Sequence, residues 1–592
     1  MLSLSGKNWV FKQYNQEEIS FFKDNFFLDE ITSKLLSIRK IKKNDIKSFL
    51  NPSIKNFLPN PNTLMDMEKS TLRTIKSINA KDKIGIFGDY DVDGATSTAL
   101  LGRYFTELKI PYEIYIPDRK KEGYGPTVKS FEELINNGVK IIFTVDCGTL
   151  SFDAIEFANQ KNIDVIVLDH HQSEINLPKA FSVINPNRLD DKSNLQYLCA
   201  AGVSFMFLVS MNRKLRLINW FNENKINEPN LINYLDLVSL GTVCDVVPLI
   251  GLNRAIVRQG LKILKGKKNL GLKTLLDICK IESSPSIYHL GFMLGPRINA
   301  GGRVGKCSHG ANLLLNTDPK NAFKLASELD QFNKERQMLE KDLLQKLLNE
   351  TKDCSKDPVL VLSGSNWHEG IIGIVAARLK DKFNKPVIII SIEGQIGKAS
   401  ARSIIGFDIG SIIISATQNK ILLKGGGHKM AGGFSININN IERFKEFVFR
   451  KFRNINEDLT SIKPLYLDSV LSPTAVNLEF YNKVNNLAPF GSGNPEPKFL
   501  IESLKTINGK IVGDKHIKSV LIGEDGSSIK TICFNAIEND LGAYLLEKNN
   551  KKFDIVGKLS LNEWKGQSNV EFIIDDISVN KTLKNTVPSS IG

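Results

Sequence analysis

The sequence predicts a multidomain α/β protein with a doubly wound parallel sheet, a long connecting helix, a smaller α/β domain and a C-terminal all-β domain. Three observations predict this class. The chain has 592 residues, which is too long for one ordinary hydrophobic core. Short β-branched apolar runs alternate with helical segments from residue 83 onward. From about residue 463, short strands separated by turns dominate instead.

The first α/β domain is expected at residues 81–320. Its buried strands are predicted from four short apolar runs, at 83–88, 112–116, 140–145 and 164–168. Segments of helical length lie between these runs, which is typical of a parallel, doubly wound sheet. In such sheets ligands bind beyond the carboxyl ends of the strands, so the functional residues are sought there.

The other domains are predicted from changes of pattern along the chain. They are a polar, helical N-terminal cap (1–80), a connecting amphipathic helix (321–356), a second α/β domain (357–455) and a small β-barrel (463–580). Within the barrel, turns are expected at Asn508-Gly509 and Asp525-Gly526. The last dozen residues are expected to be loosely ordered.

The charge balance favours a polyanionic partner. Lysine and arginine number 78 against 64 acidic residues, which gives a net charge of +14 and a pI near 9.1. The alternative is a generally basic proteome, since many lysines lie in Asn/Ile-rich stretches.

Cysteine usage and the N-terminus bear on the compartment. Seven dispersed cysteines with no C-x-x-C pair argue against disulfides or structural zinc and indicate a reducing compartment. No signal peptide or membrane-spanning run is recognised, so a cytoplasmic protein without membrane contact is expected.

The first predicted strand ends in three carboxylates at alternate positions, Asp89, Asp91 and Asp93, followed by Gly94. Packed together, such groups repel one another and tend to become neutral unless cations bind them. A solvated loop or a calcium loop is the alternative. An EF-hand needs a glutamate at its twelfth position, where this chain has Leu100. The motif therefore favours a divalent-metal site of another kind.

Further ligand types stand at the ends of later strands. Asp146 follows the third strand, and Asp169, His170 and His171 follow the fourth. Asp245 lies in an apolar stretch, where an unpaired carboxylate is costly. A lone histidine is usually structural, but adjacent imidazoles among carboxylates suit Mn²⁺. Together these residues predict a site for two divalent ions.

These motifs resemble those of the DHH phosphoesterase family: Gly-Asp-Tyr-Asp-Val-Asp-Gly, Val-Asp-Cys-Gly, Asp-His-His and Gly-Thr-Val-Cys-Asp-Val. The resemblance implies a binuclear site made of Asp89, Asp91, Asp93, Asp146, His170 and Asp245. It also implies that Asp146 bridges two Mn²⁺ or Mg²⁺ ions, that His171 faces the scissile phosphate and that a metal-bound hydroxide attacks. Thr149-Leu150 departs from the family's usual pair and puts a phosphate contact in question, but not the ligands.

Several downstream motifs carry groups suited to phosphate. Arg297, Asn299 and Arg303 are placed in a Gly-rich loop, for which an ordinary flexible loop is the alternative. The other candidates are His368 before a predicted helix, Ser400 and Arg402, and His428 after three glycines. The Gly-Gly-Gly-His run resembles the DHHA1 substrate-binding domain.

Within the DHH family, three motifs resemble the RecJ exonucleases: Asn299-Ala-Gly-Gly-Arg303, Trp367-His-Glu-Gly370 and Ala488-Pro-Phe-Gly-Ser-Gly-Asn-Pro-Glu-Pro497. The resemblance implies that the barrel is an oligonucleotide-binding (OB) fold. It also implies 5′-to-3′ degradation of single-stranded DNA in repair and recombination.

On this resemblance we expect Arg119, Ser400 and Arg402 to hold the terminal phosphate. A helicase and a single-strand-binding protein are expected as partners of a monomer. The alternatives are a DHH hydrolase of short oligoribonucleotides or nucleotides, and an inactive protein that only binds single strands.

Overall fold

The computed structural model describes residues 3–351, 357–454, 464–538, 540–546, 551–564 and 567–579. The expected loose order of the last dozen residues concerns a segment outside these ranges. None of the described helices is both long and apolar enough to cross a membrane.

The N-terminal segment packs on two different parts of the molecule. Its elements are β1 (Asn8–Phe11), α1 (Gln16–Phe26), α2 (Glu30–Ile38), α3 (Ile46–Leu50), α4 (Ile54–Phe57) and α5 (Met67–Ala80). Phe22 and Leu35 lie in the core of the C-terminal barrel, whereas Met67 and Ile75 of α5 join the core of the first α/β domain. The segment therefore ties the two ends of the chain together.

A five-stranded parallel sheet forms the centre of the first α/β domain, as predicted. Its elements are β2 (Ile84–Gly88), α6 (Val92–Glu107), β3 (Tyr112–Tyr115), α7 (Val128–Asn136), β4 (Ile141–Val145), α8 (Phe152–Gln160), β5 (Asp164–Leu168) and β6 (Ser182–Ile184). The strand order is β3-β2-β4-β5-β6, with every pair parallel. The order reverses between β2 and β4, which opens a crevice at their carboxyl ends.

Helices complete this domain: α9 (Ala200–Leu217), α10 (Trp220–Glu223), α11 (Leu235–Cys244), α12 (Gly251–Lys265), α13 (Leu270–Ile278), α14 (Gly295–Val304) and α15 (His309–Leu315). The Gly-rich segment that we expected to be a loop is α14, so that prediction was wrong. Its glycines serve close packing, because a Cβ on Gly302 would lie 2.9 Å from the carbonyl oxygen of Tyr90.

The predicted connecting helix is α16 (Pro319–Glu350), which is 32 residues and about 48 Å long. Asp318 caps its N-terminus, where its side chain accepts from the backbone N–H of Asn321. Leu329 packs in the core of the first domain, while Leu347 packs with the domain that follows. The helix therefore joins the two lobes.

The second α/β domain contains β7 (Leu360–Ser365), α17 (Glu369–Phe383), β8 (Val387–Glu393), β9 (Ile396–Arg402), α18 (Ile409–Gln418), β10 (Lys424–His428), β11 (Ala431–Asn437) and α19 (Ile441–Arg453). Its sheet has the order β10-β11-β9-β8-β7, in which β7 and β8 are parallel and the other pairs antiparallel.

The C-terminal domain contains β12 (Pro464–Leu467), β13 (Ser469–Val470), α20 (Leu478–Asn485), β14 (Phe499–Val512), β15 (His516–Ile522), β16 (Ser528–Cys533), α21 (Leu541–Leu546), β17 (Phe553–Trp564) and β18 (Gln567–Ser578). Pairing of β14 with β17 closes a five-stranded barrel, which confirms the predicted all-β domain. β12 pairs in parallel with β1 at the other end of the chain.

One of the two turns predicted in the barrel is correct. Asp525-Gly526 connects β15 to β16, but Asn508-Gly509 lies inside β14, beside a register shift. A Cβ on Gly509 would lie 2.0 Å from the carbonyl oxygen of Leu545. The glycine is there because α21 passes close to the strand, not because the chain turns.

Candidate metal centre and phosphate cavity

Two of the predicted carboxylates follow neighbouring strands of the parallel sheet. Asp89 follows β2 and Asp146 follows β4, at the point where the strand order reverses. The backbone N–H of Asp89 donates to the carbonyl of Val145 (3.3 Å), and that of Asp146 donates to the carbonyl of Leu168 (3.0 Å). Asp146 has φ = 61°, which is uncommon for a residue with a side chain. The chain thus leaves the strand sharply and keeps both side chains at the crevice.

Asp91 and Asp93 are held by helix N-termini. The Asp91 side chain caps α6 by accepting from the backbone N–H of Gly94 (3.0 Å). The two oxygens of Asp93 accept from the backbone N–H groups of Ala200 (2.6 Å) and Ala201 (2.9 Å), at the start of α9. The positive end of a helix favours an anion, so both carboxylates are oriented by α6 and α9.

His170 lies among three carboxylates that come from different elements. Its Nε2 atom is 3.4 Å from Oδ1 of Asp146, 3.6 Å from Oδ2 of Asp245 and 3.8 Å from Oδ2 of Asp93. Asp245 caps the C-terminus of α11, where the helix dipole disfavours a negative charge. A cation between these groups would offset that cost.

The electrostatics of the centre favour bound cations. Burial raises the pKa of Asp89 and Asp146 well above the usual range, and neighbouring carboxylates raise it further. Burial, together with Asp93 and Asp91, raises the pKa of Asp245 to about 8. Within the described part of the chain, Oδ1 of Asp89 and Nε2 of His170 are buried with no hydrogen-bond partner. Divalent ions would satisfy these atoms and keep the carboxylates ionised.

The ligand atoms fall into three overlapping groups, in each of which they lie within 4.8 Å of one another: Asp89, Asp91 and Asp146; Asp93, His170 and Asp245; Asp146, His170 and His171. Asp146 and His170 each belong to two of these groups, so these two side chains link the carboxylates of Asp89 and Asp91 to those of Asp93 and Asp245. The structure therefore brings together all seven residues predicted for this centre.

Asp169 orients His171. Its buried carboxylate lies 2.8 Å from Nδ1 of His171 and accepts from the backbone N–H of Thr149 (3.1 Å). Burial alone would lower the pKa of His171, but the hydrogen bond and charge of Asp169 outweigh it and raise the pKa to about 9. The contact with Asp169 therefore favours the cationic form of His171.

Three residues at the centre were missed by the sequence analysis. The hydroxyl of Tyr124 donates to the carbonyl of Asp146 (2.9 Å) and lies 3.2 Å from Nδ1 of His171. Asn185 donates to the carbonyl of His171 (2.9 Å), and Asn187 donates to that of His170. Both asparagines directly follow β6, so the strand-end rule could have found them. Tyr124 stands between two glycines with positive φ, which is a weaker signal.

A cavity of about 550 Å³ lies between the first and second α/β domains. Its described lining carries six cationic side chains, two hydroxyls and one acid: Arg119, Lys120, Arg303, Lys398, Arg402, Lys424, Ser400, Ser435 and Glu369. Burial and the nearby arginines lower the pKa of Arg303 to about 10, so it remains charged at neutral pH. Arg119, Arg303 and Arg402 are half-buried and the three lysines are exposed, and such a concentration of positive charge at one cavity favours an anion.

Four of the eight predicted phosphate-binding residues line this cavity, namely Arg119, Arg303, Ser400 and Arg402. His368 caps α17 at its edge, where its Nδ1 atom accepts from the backbone N–H of Gly370 (3.1 Å). Lys120, Lys398 and Lys424 were missed, because lysine is too common in this chain to mark a site.

The remaining three candidates lie elsewhere. Arg297 donates to Asp330 (2.8 Å) and to the carbonyl of Met293, which favours a structural role. Asn299 is half-buried on α14, and His428 is exposed at the end of β10. Their assignment to phosphate stays a prediction.

Comparisons with known proteins match this architecture. Residues 83–242 match the DHH family N-terminal domain, residues 356–454 the DHHA1 domain and residues 467–576 the RecJ OB domain. The single-stranded-DNA-specific exonuclease RecJ of Escherichia coli is 34% identical over 547 residues, which cover 89% of this chain and 92% of that protein.

Two solved structures are also similar. RecJ from Thermus thermophilus in complex with Mn²⁺ has a TM-score of 0.80 at 26% identity, covering 98% of this chain and 80% of that one. The Mg²⁺ complex from the same organism has a TM-score of 0.73 at 24% identity, covering 99% and 79%.

The carboxylate-lined crevice, the parallel sheet and the matched domains define a metal-dependent phosphoesterase of the DHH type. The identity to the relative extends over nearly the whole of both chains and includes the OB domain. The chain belongs to the RecJ family of this class. The predicted family and OB fold are thereby confirmed.

Proposed function

We propose that this chain is a single-stranded-DNA-specific exonuclease that removes nucleotides from the 5′ end and acts in DNA repair and recombination. The 5′ polarity rests on the resemblance to RecJ, and one observation supports the position proposed for the strand end. The Arg119 guanidinium, which lines the basic cavity, lies 5.3 Å from the ring of Tyr90, between the candidate ligands Asp89 and Asp91. A terminal phosphate in the cavity would thus place the next phosphodiester at the carboxylates.

The carboxylate centre fits two divalent ions. Asp89 and Asp91 would hold one and Asp93, His170 and Asp245 the other, with Asp146 shared. Bound there, the ions supply an activated water and stabilise the leaving oxygen. Mn²⁺ or Mg²⁺ is proposed because both occur in the similar Thermus thermophilus structures.

The chain's own groups orient the strand. Arg402 and Ser400 lie 3.2 Å apart on β9, and with Arg119 they would bind the terminal phosphate. Arginine suits this role because its planar fork of donors matches phosphate oxygens. His171, oriented by Asp169, would donate a hydrogen bond to the scissile phosphate.

The substrate class also follows from shape and charge. A 550 Å³ cavity accommodates the end of one strand but not a duplex, so single strands are selected. OB domains commonly bind single-stranded nucleic acid. Because the chain has a net charge of +14, contacts with the phosphate backbone should contribute strongly to binding.

The proposal extends to partners and compartment. A helicase would supply unwound strands, a single-strand-binding protein would present them, and the chain would act as a monomer. A cytoplasmic location fits the six described free cysteines; Cys354 lies outside the described residues.

The test is digestion of single-stranded DNA, labelled at the 5′ or the 3′ end, with Mn²⁺ or with EDTA. We expect labelled mononucleotide to appear at once from the 5′ label, no product with EDTA and little digestion of blunt duplex. Equal rates on duplex and single strand would contradict the proposal. Activity confined to very short RNA would favour a small-substrate hydrolase, and binding without turnover would favour an inactive binding protein.

A further inference from the structure

The candidate ligand Asp245 is followed by a strained residue. Val246 has φ = 59°, a left-handed conformation that is a genuine outlier for a β-branched side chain. Its side chain is 68% exposed, so its own packing does not hold this conformation. Strained backbone persists only where the surrounding structure imposes it. The short connection from Asp245 to α12 must therefore be held from outside.

A loop of the OB domain, residues 487–495, contacts this connection. The backbone N–H of Leu249 donates to the carbonyl of Ser492 (2.8 Å). A Cβ on Gly491 would lie 2.8 Å from Cδ1 of Leu249, and one on Gly493 would lie 3.1 Å from Cβ of Pro248. Both glycines therefore lie against the side chains of Leu249 and Pro248, and a Cβ on Gly493 would also lie 3.4 Å from Cα of Pro248.

The same loop also accepts hydrogen bonds from the first turn of α12. Arg254, which is 1% exposed, donates to the carbonyls of Leu487 (2.8 Å), Ala488 (2.9 Å) and Pro489 (3.2 Å). Removing either side of this contact would leave a buried charge or buried carbonyls without partners, which is costly. The connection is thus fixed at Leu249 and again five residues later.

Asn494 holds the loop in shape. Its Nδ2 atom donates to the carbonyls of Leu487 (2.9 Å) and Pro489 (2.8 Å), and its Oδ1 accepts from Nε of Arg39 (2.9 Å). Asn494 is 1% exposed and contacts neither the carboxylate centre nor the basic cavity.

We propose that the 487–495 loop positions Asp245, with Asn494 and Arg254 as positioning residues, so that the OB domain completes the metal centre as well as binding DNA. This inference rests on the proposed function, in which Asp245 is a metal ligand. Its consequence is that loosening the loop weakens metal binding before it weakens strand binding.

The test uses Asn494→Ala in the full chain, with Asn477→Ala as the matched control. Asn477 lies in the same domain, is exposed and makes two side-chain hydrogen bonds against the three of Asn494, with the N–H of Phe480 and the carbonyl of Thr474. Mn²⁺ binding is measured by the electron paramagnetic resonance of free Mn²⁺, and single-strand binding by fluorescence anisotropy in EDTA. Asn494→Ala should weaken Mn²⁺ binding by up to about 10-fold, the lower end of the loss for a group bonded directly to a ligand, because Asn494 acts on Asp245 only through the loop. Its strand affinity, and both affinities of Asn477→Ala, should stay unchanged.

Two further variants act on the same contact. Gly491→Ala, which puts a methyl group against Leu249 without removing a hydrogen bond, should also weaken Mn²⁺ binding. Adding Val246→Gly to Asn494→Ala should restore part of it, because glycine adopts positive φ without strain. Failure of this rescue would overturn the strain argument.

Other outcomes separate the inference from the proposed function. Asn494→Ala that binds Mn²⁺ normally, or Asn477→Ala that loses Mn²⁺ binding equally, would overturn the inference. Asp245→Asn serves as the reference. If Asp245→Asn binds Mn²⁺ as tightly as the native chain does, Asp245 is not a metal ligand, and both the ligand assignment and the inference are wrong. If Asp245→Asn binds Mn²⁺ more weakly while Asn494→Ala and Gly491→Ala bind it as the native chain does, only the inference is wrong.

Discussion

Oδ1 of Asp146 lies 3.4 Å from Nε2 of His170, although the two residues follow different strands of the sheet. β4 and β5 are neighbours and parallel, so the residues that follow them meet at one edge. Asp146 also lies with Asp89 and Asp91, so this side chain is close both to those carboxylates and to His170.

Asp146→Ala should abolish turnover and leave single-strand binding intact. Loss of a shared ligand disturbs both ion positions, so the fall in kcat should exceed the roughly 10- to 100-fold typical of losing an outer-shell partner. Single-turnover digestion with Mn²⁺ and anisotropy in EDTA measure the two effects. Asp153→Ala, on the exposed side of α8, is the control. Surviving activity would refute the shared-ligand assignment.

Arg402→Ala should slow digestion of 5′-phosphorylated single strands at limiting substrate. A hydrogen bond to a charged group contributes about 1.5–3 kcal/mol, so kcat/KM should fall about 10- to 100-fold. Strands with a 5′-hydroxyl should be affected less. Arg443→Ala, exposed on α19 of the same domain, should change neither rate. An unaltered rate on phosphorylated strands would exclude Arg402 from the terminal-phosphate site.

Asp169→Asn should shift the alkaline limb of the pH–rate profile to lower pH. The hydrogen bond and charge of Asp169 outweigh burial and raise the pKa of His171, to about 9 in the metal-free protein, while bound divalent ions would oppose that rise. Without the carboxylate the pKa falls back toward its ordinary value of about 6.5. The cationic imidazole is therefore lost at a lower pH in Asp169→Asn than in the native chain. Profiles of kcat that superimpose would show that the Asp169 contact does not govern this proton.

Gly302→Ala should destabilise the protein and lower its activity. Glycine-to-alanine changes inside helices usually stabilise by roughly 0.5–1 kcal/mol. Here the new methyl would lie 2.9 Å from the carbonyl oxygen of Tyr90, between two candidate ligands. Thermal unfolding and digestion rates measure the effect.

Gly291→Ala is the matched control for that change, because its methyl would meet Val243 at an ordinary 3.5 Å. It should leave activity unchanged. Equal effects of the two substitutions would show that the approach to Tyr90 is unimportant.

Much of the fold was predictable because the relevant signals are local. Strands β2 to β5 match apolar runs of the sequence within one residue, and α16 follows from helical spacing. The errors share one cause. The glycines of α14 and Gly509 suggested a loop and a turn, but they permit close approach of Tyr90 and Leu545. Whether a glycine serves a turn or a close contact depends on neighbours that are distant in the sequence.

The sequence by itself determined the seven predicted residues of the candidate metal centre. Six of them stand just beyond β2, β4 and β5, and parallel strands bring their carboxyl ends to one edge without further information. The seventh, Asp245, was found as a carboxylate in an apolar stretch. Local pattern and the physics of parallel sheets located these residues, and the resemblance to the DHH family selected the set of seven.

Only the tertiary structure decided which basic residues share a cavity and what holds Asp245. The cavity combines Arg119 with Arg303 and Arg402 from distant parts of the chain. Arg254 meets Pro489 across 235 residues of sequence. Such contacts depend on how whole domains pack, since no local pattern records which surface a domain will meet. The residues of the candidate metal centre can therefore be predicted from the ends of the strands. The contacts that hold Asp245 in place are found only in the tertiary structure.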